Sequence, residues 1–124
     1  MFKPSGSWVA IPTPFDSHNK VDFGVFQEII DFHVAHGTTM LFCMGSAGEV
    51  SMLSNEERHA IVPQMVKMAK GKLPVFFGST LATTEATVDF AKYCEAEGAD
   101  GLVFSAPNYL LPSKSATTEF FLTA

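Results

Sequence analysis

Four short apolar runs punctuate this chain, at residues 7–11, 40–44, 73–78 and 101–105, and a longer amphipathic stretch follows each. The run Met40-Leu41-Phe42-Cys43-Met44 holds no polar residue, as in a strand buried on both faces. It leads straight into Gly45-Ser46-Ala47-Gly48-Glu49, a turn of little side-chain bulk. Pro12-Thr13-Pro14 stops the first run, because two prolines with one residue between them cannot continue a ladder. Pro74 is tolerated because it opens the third run.

The stretches between the runs read as helices. Phe26, Ile29, Ile30 and His33/Val34 recur at helical spacing over 23–36, with Asp22 as N-cap and Gly37 as a left-handed stop. Ser54 and Glu57 form a capping box for a helix that reaches about Lys70 and ends at Gly71. Pro63 lies inside it and predicts one lost hydrogen bond and a bend. Thr83 or Thr84 caps a third helix, filled by Val88, Ala91, Lys92 and Cys94-Glu95 and stopped by Gly98. A fourth helix begins near Ser115.

Strand and helix thus alternate four times, in units of about thirty residues, which predicts a parallel sheet. Four units are half of a (β/α)8 barrel, which takes about 250 residues, and this chain has 124. The last helix shows no stop signal after Phe120-Phe121-Leu122. The expectation is an α/β chain in which 1–124 form the N-terminal half of a TIM barrel, truncated before its second half. The competing fold is a small doubly wound sheet. Its phosphate-binding version lacks any Gly-x-Gly-x-x-Gly or Walker signature.

Composition narrows the function classes. The net charge of -5, with no Lys/Arg cluster, argues against nucleic acid or an anionic membrane as partner. No apolar run approaches the roughly 18 residues of a membrane span. Residues 1–7 are short and polar and include Pro4, unlike a signal peptide. A cytoplasmic protein is expected. Cys43 and Cys94 read as buried, reduced thiols, and no Cys/His pair has metal-ligand spacing, so no metal is expected. Twelve phenylalanines are many for this length, enough for a core and an interface. Trp8 is expected in the core.

Candidate chemistry sits where strands end. In parallel α/β folds ligands bind beyond the carboxyl ends of strands. The small residues of Gly45-Ser46-Ala47-Gly48 let a ligand reach backbone N–H groups. The Ser46 hydroxyl either relays protons or bonds its own backbone. Glu49 is read as pinning backbone N–H groups rather than as a general base. Ser79 and Thr80, after the third run, read as loop-capping hydroxyls. Tyr109 can carry a proton or anchor an interface, and Leu110 and Leu111 read as apolar contacts to a partner subunit. His18, His33, His36 and His59 are scattered and are assigned no chemistry.

These pieces fall in one order: Thr13-Pro14-Phe15, Gly45-Ser46-Ala47-Gly48-Glu49, Leu53-Ser54-Asn55-Glu56-Glu57-Arg58, Gly98-Ala99-Asp100-Gly101, then Ala106-Pro107-Asn108-Tyr109 with Pro112 soon after. Together they resemble the N-terminal half of the dihydrodipicolinate synthase / N-acetylneuraminate lyase family, from about Gly6 to Leu122. The resemblance implies a TIM barrel and Schiff-base aldolase or lyase chemistry on a pyruvate-like keto acid, in a homo-oligomer, without a cofactor. It implies that Ser46 and Tyr109 are catalytic, as members of a proton relay, with Tyr109 reaching across a dimer interface. It implies that Gly45, Ser46, Ala47 and Gly48 hold the pyruvate carboxylate.

Two departures stand out. Ala47 replaces the family's usual second hydroxyl, and Asn108 the usual tyrosine. The family's imine-forming lysine lies on a sixth strand, and no lysine here falls in an apolar run where burial would lower its pKa. The 124 residues alone are therefore expected to be inactive. The alternative reading is a non-catalytic half-barrel that serves as an assembly module.

Overall fold

The computed structural model describes residues 5–107 and 112–124. Four strands, β1 (Trp8–Ala10), β2 (Met40–Cys43), β3 (Val75–Gly78) and β4 (Gly101–Val103), alternate with four helices, α1 (Phe23–Ala35), α2 (Asn55–Ala69), α3 (Thr84–Ala96) and α4 (Lys114–Thr123). A 3-10 turn at Val50–Met52 precedes α2. All strand pairs are parallel, in the order β1-β2-β3-β4. Parallel crossovers share one hand, so this unreversed order places every helix on the same face. A doubly wound sheet would reverse its order. The architecture is the N-terminal half of a (β/α)8 barrel.

Local chemistry sets the helix ends. The Asp22 carboxylate accepts from the N–H groups of Gly24 and Val25 at 2.9 and 3.0 Å. Ser54 and Glu57 exchange both bonds of a capping box. Thr83, rather than Thr84, caps α3. Ser113 caps α4, which starts slightly before the expected position. Gly37, Gly71 and Gly98 all adopt positive φ just past their helices, as stops require.

Helix α2 runs unbroken through Pro63. The proline has no N–H for the carbonyl of His59, one turn back. That carbonyl instead accepts the Tyr93 hydroxyl of α3 at 2.8 Å. The His59 ring packs against Tyr93 and Phe90, with centroids 4.4 and 5.5 Å apart. A neighbouring helix thus supplies the missing donor.

The core lies between sheet and helices. Leu41, Cys43, Val75 and Phe77 point outward from the sheet and bury Phe26 and Ile30 of α1, Ile61, Val62 and Met65 of α2, and Phe90 and Cys94 of α3. Val34 stays exposed, because α1 turns its Phe26–Ile30 stripe to the sheet. In α3, Thr87 and Phe90 join Ala91 and Cys94 in the buried stripe, whereas Lys92 is exposed. Both thiols are free and buried. Burial raises the pKa of each, that of Cys94 to about 12.

Trp8 departs from expectation: it is 44% exposed rather than core. Side chains alternate across a strand, and Trp8 shares a face with Ala10, Met40, Phe42 and Phe76, the concave inner side. Its ring rests on Phe76 at 4.9 Å. An apolar run shows that a strand is buried but not which side chains face which way.

Candidate functional site

Strand β2 ends at Cys43, and the turn that follows is built by its own backbone. The Gly45 carbonyl accepts from the N–H groups of Gly48 at 3.1 Å and Val50 at 3.4 Å. The Ser46 carbonyl accepts from the Glu49 N–H at 3.1 Å. In a trans peptide the C=O and the next N–H point to opposite sides of one plane. With both carbonyls turned into the turn, the N–H groups of Ser46 and Ala47 point out of it. Neither meets an acceptor among the described residues, and both residues are exposed. Two adjacent, outward N–H donors at a strand's carboxyl end form a cradle that can hold a small anion.

Four neighbours hold this cradle. Met44 is buried yet left-handed, at φ 54, a conformation that costs a non-glycine residue about 1–3 kcal/mol. Strand β3 accommodates it: a Cβ on Gly78 would lie 2.1 Å from the Met44 carbonyl oxygen, so only glycine fits there. The Phe42 ring packs under Gly45, where a Cβ would meet it at 2.6 Å. From the loop after β1, the buried Thr13 hydroxyl donates to the Gly48 carbonyl at 2.7 Å.

The structure brings four of the five expected site residues together. Gly45, Ser46, Ala47 and Gly48 share this one turn, with Gly45 and Gly48 buried and the two between them exposed. The Ser46 hydroxyl does not bond its own backbone, and no partner is found for it among the described residues. Tyr109, with Asn108, Leu110 and Leu111, lies outside the described residues.

Glu49 corrects expectation. Its exposed carboxylate caps nothing among the described residues, and its contribution comes from the backbone, a left-handed φ of 53 that turns the chain into the 3-10 segment. Thr80 does act as a loop cap. Its hydroxyl accepts the Ser105 N–H at 2.8 Å and donates to the Ser105 carbonyl at 3.1 Å, tying the loops after β3 and β4 together. Ser79 is fully buried with an unpaired hydroxyl among the described residues. The anchoring roles of Thr13 and Gly78 escaped the sequence reading, although Thr13-Pro14 was a visible signal after β1.

Elsewhere, a cavity of about 500 Å³ bordered by Lys70, Lys72, Glu97 and Asp100 lies at the opposite, amino-terminal ends of β3 and β4. Among the described residues no group of three His, Cys, Asp or Glu could hold a metal, and no helix is long and apolar enough to cross a membrane.

Comparison with known proteins places this geometry. The chain is 36% identical over 121 residues to the 4-hydroxy-tetrahydrodipicolinate synthase of Alkaliphilus oremlandii, covering 98% of this chain and 41% of that protein. It superposes on the crystal structure of dihydrodipicolinate synthase from Aquifex aeolicus with a TM-score of 0.89 and 33% identity, over 94% of this chain and 39% of the other. It also superposes on YagE, a prophage protein of Escherichia coli K12 solved in complex with pyruvate. There the TM-score is 0.91 at 28% identity, over 96% and 40% of the two chains. The chain thus spans about two fifths of the length of these relatives. The model of the dihydrodipicolinate synthetase family matches residues 3–123, so nearly the whole chain carries the family pattern and belongs to that family.

Proposed function

We propose that this chain supplies the carboxylate-binding rim of a pyruvate-dependent, Schiff-base-forming aldolase or lyase. The observation that carries this reading is the pair of outward N–H donors on Ser46 and Ala47, at the carboxyl end of a barrel strand. A keto acid presents a carboxylate that two such donors can hold, while its keto carbon stays free to react. Hydrogen bonds to a charged group are worth about 1.5–3 kcal/mol each. Two of them correspond to dissociation constants on the order of millimolar. The pyruvate complex of YagE supports a keto acid as ligand.

The chemistry needs a lysine amine, freed by burial, to condense with the keto carbon. The resulting imine withdraws electrons from the carbon–carbon bond being made or broken. None of β1 to β4 carries a lysine, so in this reading the amine comes from outside residues 1–124, and these residues alone are inactive. The Ser46 hydroxyl sits beside the donors and would pass a proton, with Tyr109 of a neighbouring subunit as its partner in a homo-oligomer. The same reading puts the reaction in the cytoplasm.

The test is an amide-resolved NMR titration of this chain with pyruvate. Saturable shifts confined to the turn, largest at Ser46 and Ala47, are expected. Unmoved Ser46 and Ala47 signals at tens of millimolar pyruvate, well above the millimolar constants expected, refute the reading. The imine is tested by borohydride trapping with pyruvate in the native assembly that contains this chain. A mass gain should map outside residues 1–124.

The outer edges of β1 and β4, unpaired among the described residues, favour one second reading, a half-barrel that serves only as an assembly module. It would leave the turn silent to pyruvate in the same titration.

A further inference from the structure

We propose that Thr13 is the positioning residue of the anion cradle, acting through two coupled peptide planes. This inference rests on the reading of the turn as a carboxylate site. The first plane is the Gly48–Glu49 peptide. Its carbonyl accepts the Thr13 hydroxyl at 2.7 Å, and its N–H donates to the Ser46 carbonyl at 3.1 Å. The second plane is the Ser46–Ala47 peptide, which carries that carbonyl on one side and the outward Ala47 N–H on the other. A hydroxyl in the loop after β1 therefore fixes the direction of a donor on the far side of the turn.

The Ser46 N–H is held differently. Its plane is set by the Gly45 carbonyl, which accepts from Gly48 and Val50 without Thr13. The two donors of the cradle are thus controlled separately, one from within the turn and one from the loop after β1. Thr13 is itself 9% exposed and wedged between Pro12 and Pro14, so its hydroxyl is delivered from a stiff segment. Without that hydroxyl the Gly48 carbonyl is left buried and unpaired. The Gly48–Glu49 peptide then gains by rotating, and the rotation frees the plane that aims Ala47.

The test compares Thr13, Thr13→Ser and Thr13→Val in the 124-residue chain by amide-resolved NMR, with pyruvate as the probe. Thr13→Val should move the Ala47 amide and leave the Ser46 amide in place before any ligand is added. It should weaken pyruvate binding about tenfold, the loss of one charge-assisted bond. Thr13→Ser keeps the hydroxyl and should bind like the parent. A merely structural threonine would shift both amides together or neither.

Equal affinity in the parent and Thr13→Val overturns the role of Thr13 while leaving the carboxylate site intact. A parent chain that ignores pyruvate removes both. Should Thr13→Val fail to fold, the Gly48 carbonyl carbon of the parent decides. Its resonance should move with the Ala47 amide as pyruvate saturates, and a carbonyl that stays put while Ala47 moves overturns the coupling.

Discussion

Removal of the Tyr93 hydroxyl should destabilise the fold through Pro63, thirty positions away in sequence and on another helix. In Tyr93→Phe the ring stays and only the donor to the His59 carbonyl is lost. A hydrogen bond of this kind contributes about 0.5–1.5 kcal/mol net. Water can reach the exposed edge of this one, so a cost of about 0.5–1 kcal/mol is expected. That corresponds to a fall in Tm of roughly 2–4 °C for a domain of this size.

The double-mutant cycle is the sharper assay. Pro63→Ala restores an N–H that can reach back one turn to the His59 carbonyl. In that background Tyr93→Phe should cost less than half as much in a urea melt. An equal cost in both backgrounds would refute the idea that Tyr93 replaces the donor that Pro63 removes.

A pH dependence follows with a defined sign. Burial, then the charges of Glu97 and Cys94, raise the Tyr93 pKa above its ordinary value of 10.0. A raised pKa in the folded state contributes stability that is fully present below about pH 10. It is lost as pH rises through the folded pKa, because a phenolate cannot donate. The stability gap between the parent and Tyr93→Phe should therefore be flat from pH 7 to about 10 and close above it.

Three other outcomes test the fold and its site. Gly78→Ala drives a Cβ to within 2.1 Å of the Met44 carbonyl. It should cost about 3 kcal/mol or more, and a thermal melt like the parent's would contradict the packing of β3 against the turn. Ser54→Ala removes one arm of the capping box and should cost about 1 kcal/mol in urea unfolding. No change there would mean that Glu57 alone suffices. Cys43 and Cys94 should resist a thiol reagent at pH 8 until the chain unfolds, since both are buried with raised pKa values. Rapid labelling of the native chain would contradict the core.

The order of elements was legible in the sequence because its signals are local. The Ser54–Glu57 box, the Asp22 cap and the stops at Gly37, Gly71 and Gly98 act within one helical turn. The Gly45–Gly48 turn was legible for the same reason, since its own backbone closes it. What the sequence hid depends on contacts between units. The Thr13 hydroxyl meets Gly48 across 35 positions, and the Tyr93 hydroxyl meets His59 across 34. No spacing rule links such pairs. Trp8 was misplaced because an apolar run does not distinguish the helix-covered face from the inner one. Glu49 was misread because its left-handed backbone, not its carboxylate, makes the turn.

Because the cradle is made of backbone, the side chain at position 47 can change without dismantling it. Ala47 is exposed, lacks positive φ and lends only its N–H. A hydroxyl added there would sit beside a carboxylate held as proposed, at little packing cost. Ala47→Ser should therefore tighten pyruvate binding, and one added bond to a charged group is worth about 1.5 kcal/mol or more at full strength. An exposed serine must give up rotamer freedom and water to make that bond, so a gain of about three- to tenfold is expected. Pyruvate titration of the variant measures it. Unchanged affinity, with Ser46 and Ala47 amides still responding in the parent, would mean that the carboxylate lies too far along the turn for position 47 to reach. Weaker affinity would mean that the new hydroxyl bonds the turn itself and competes for the donors that now point outward.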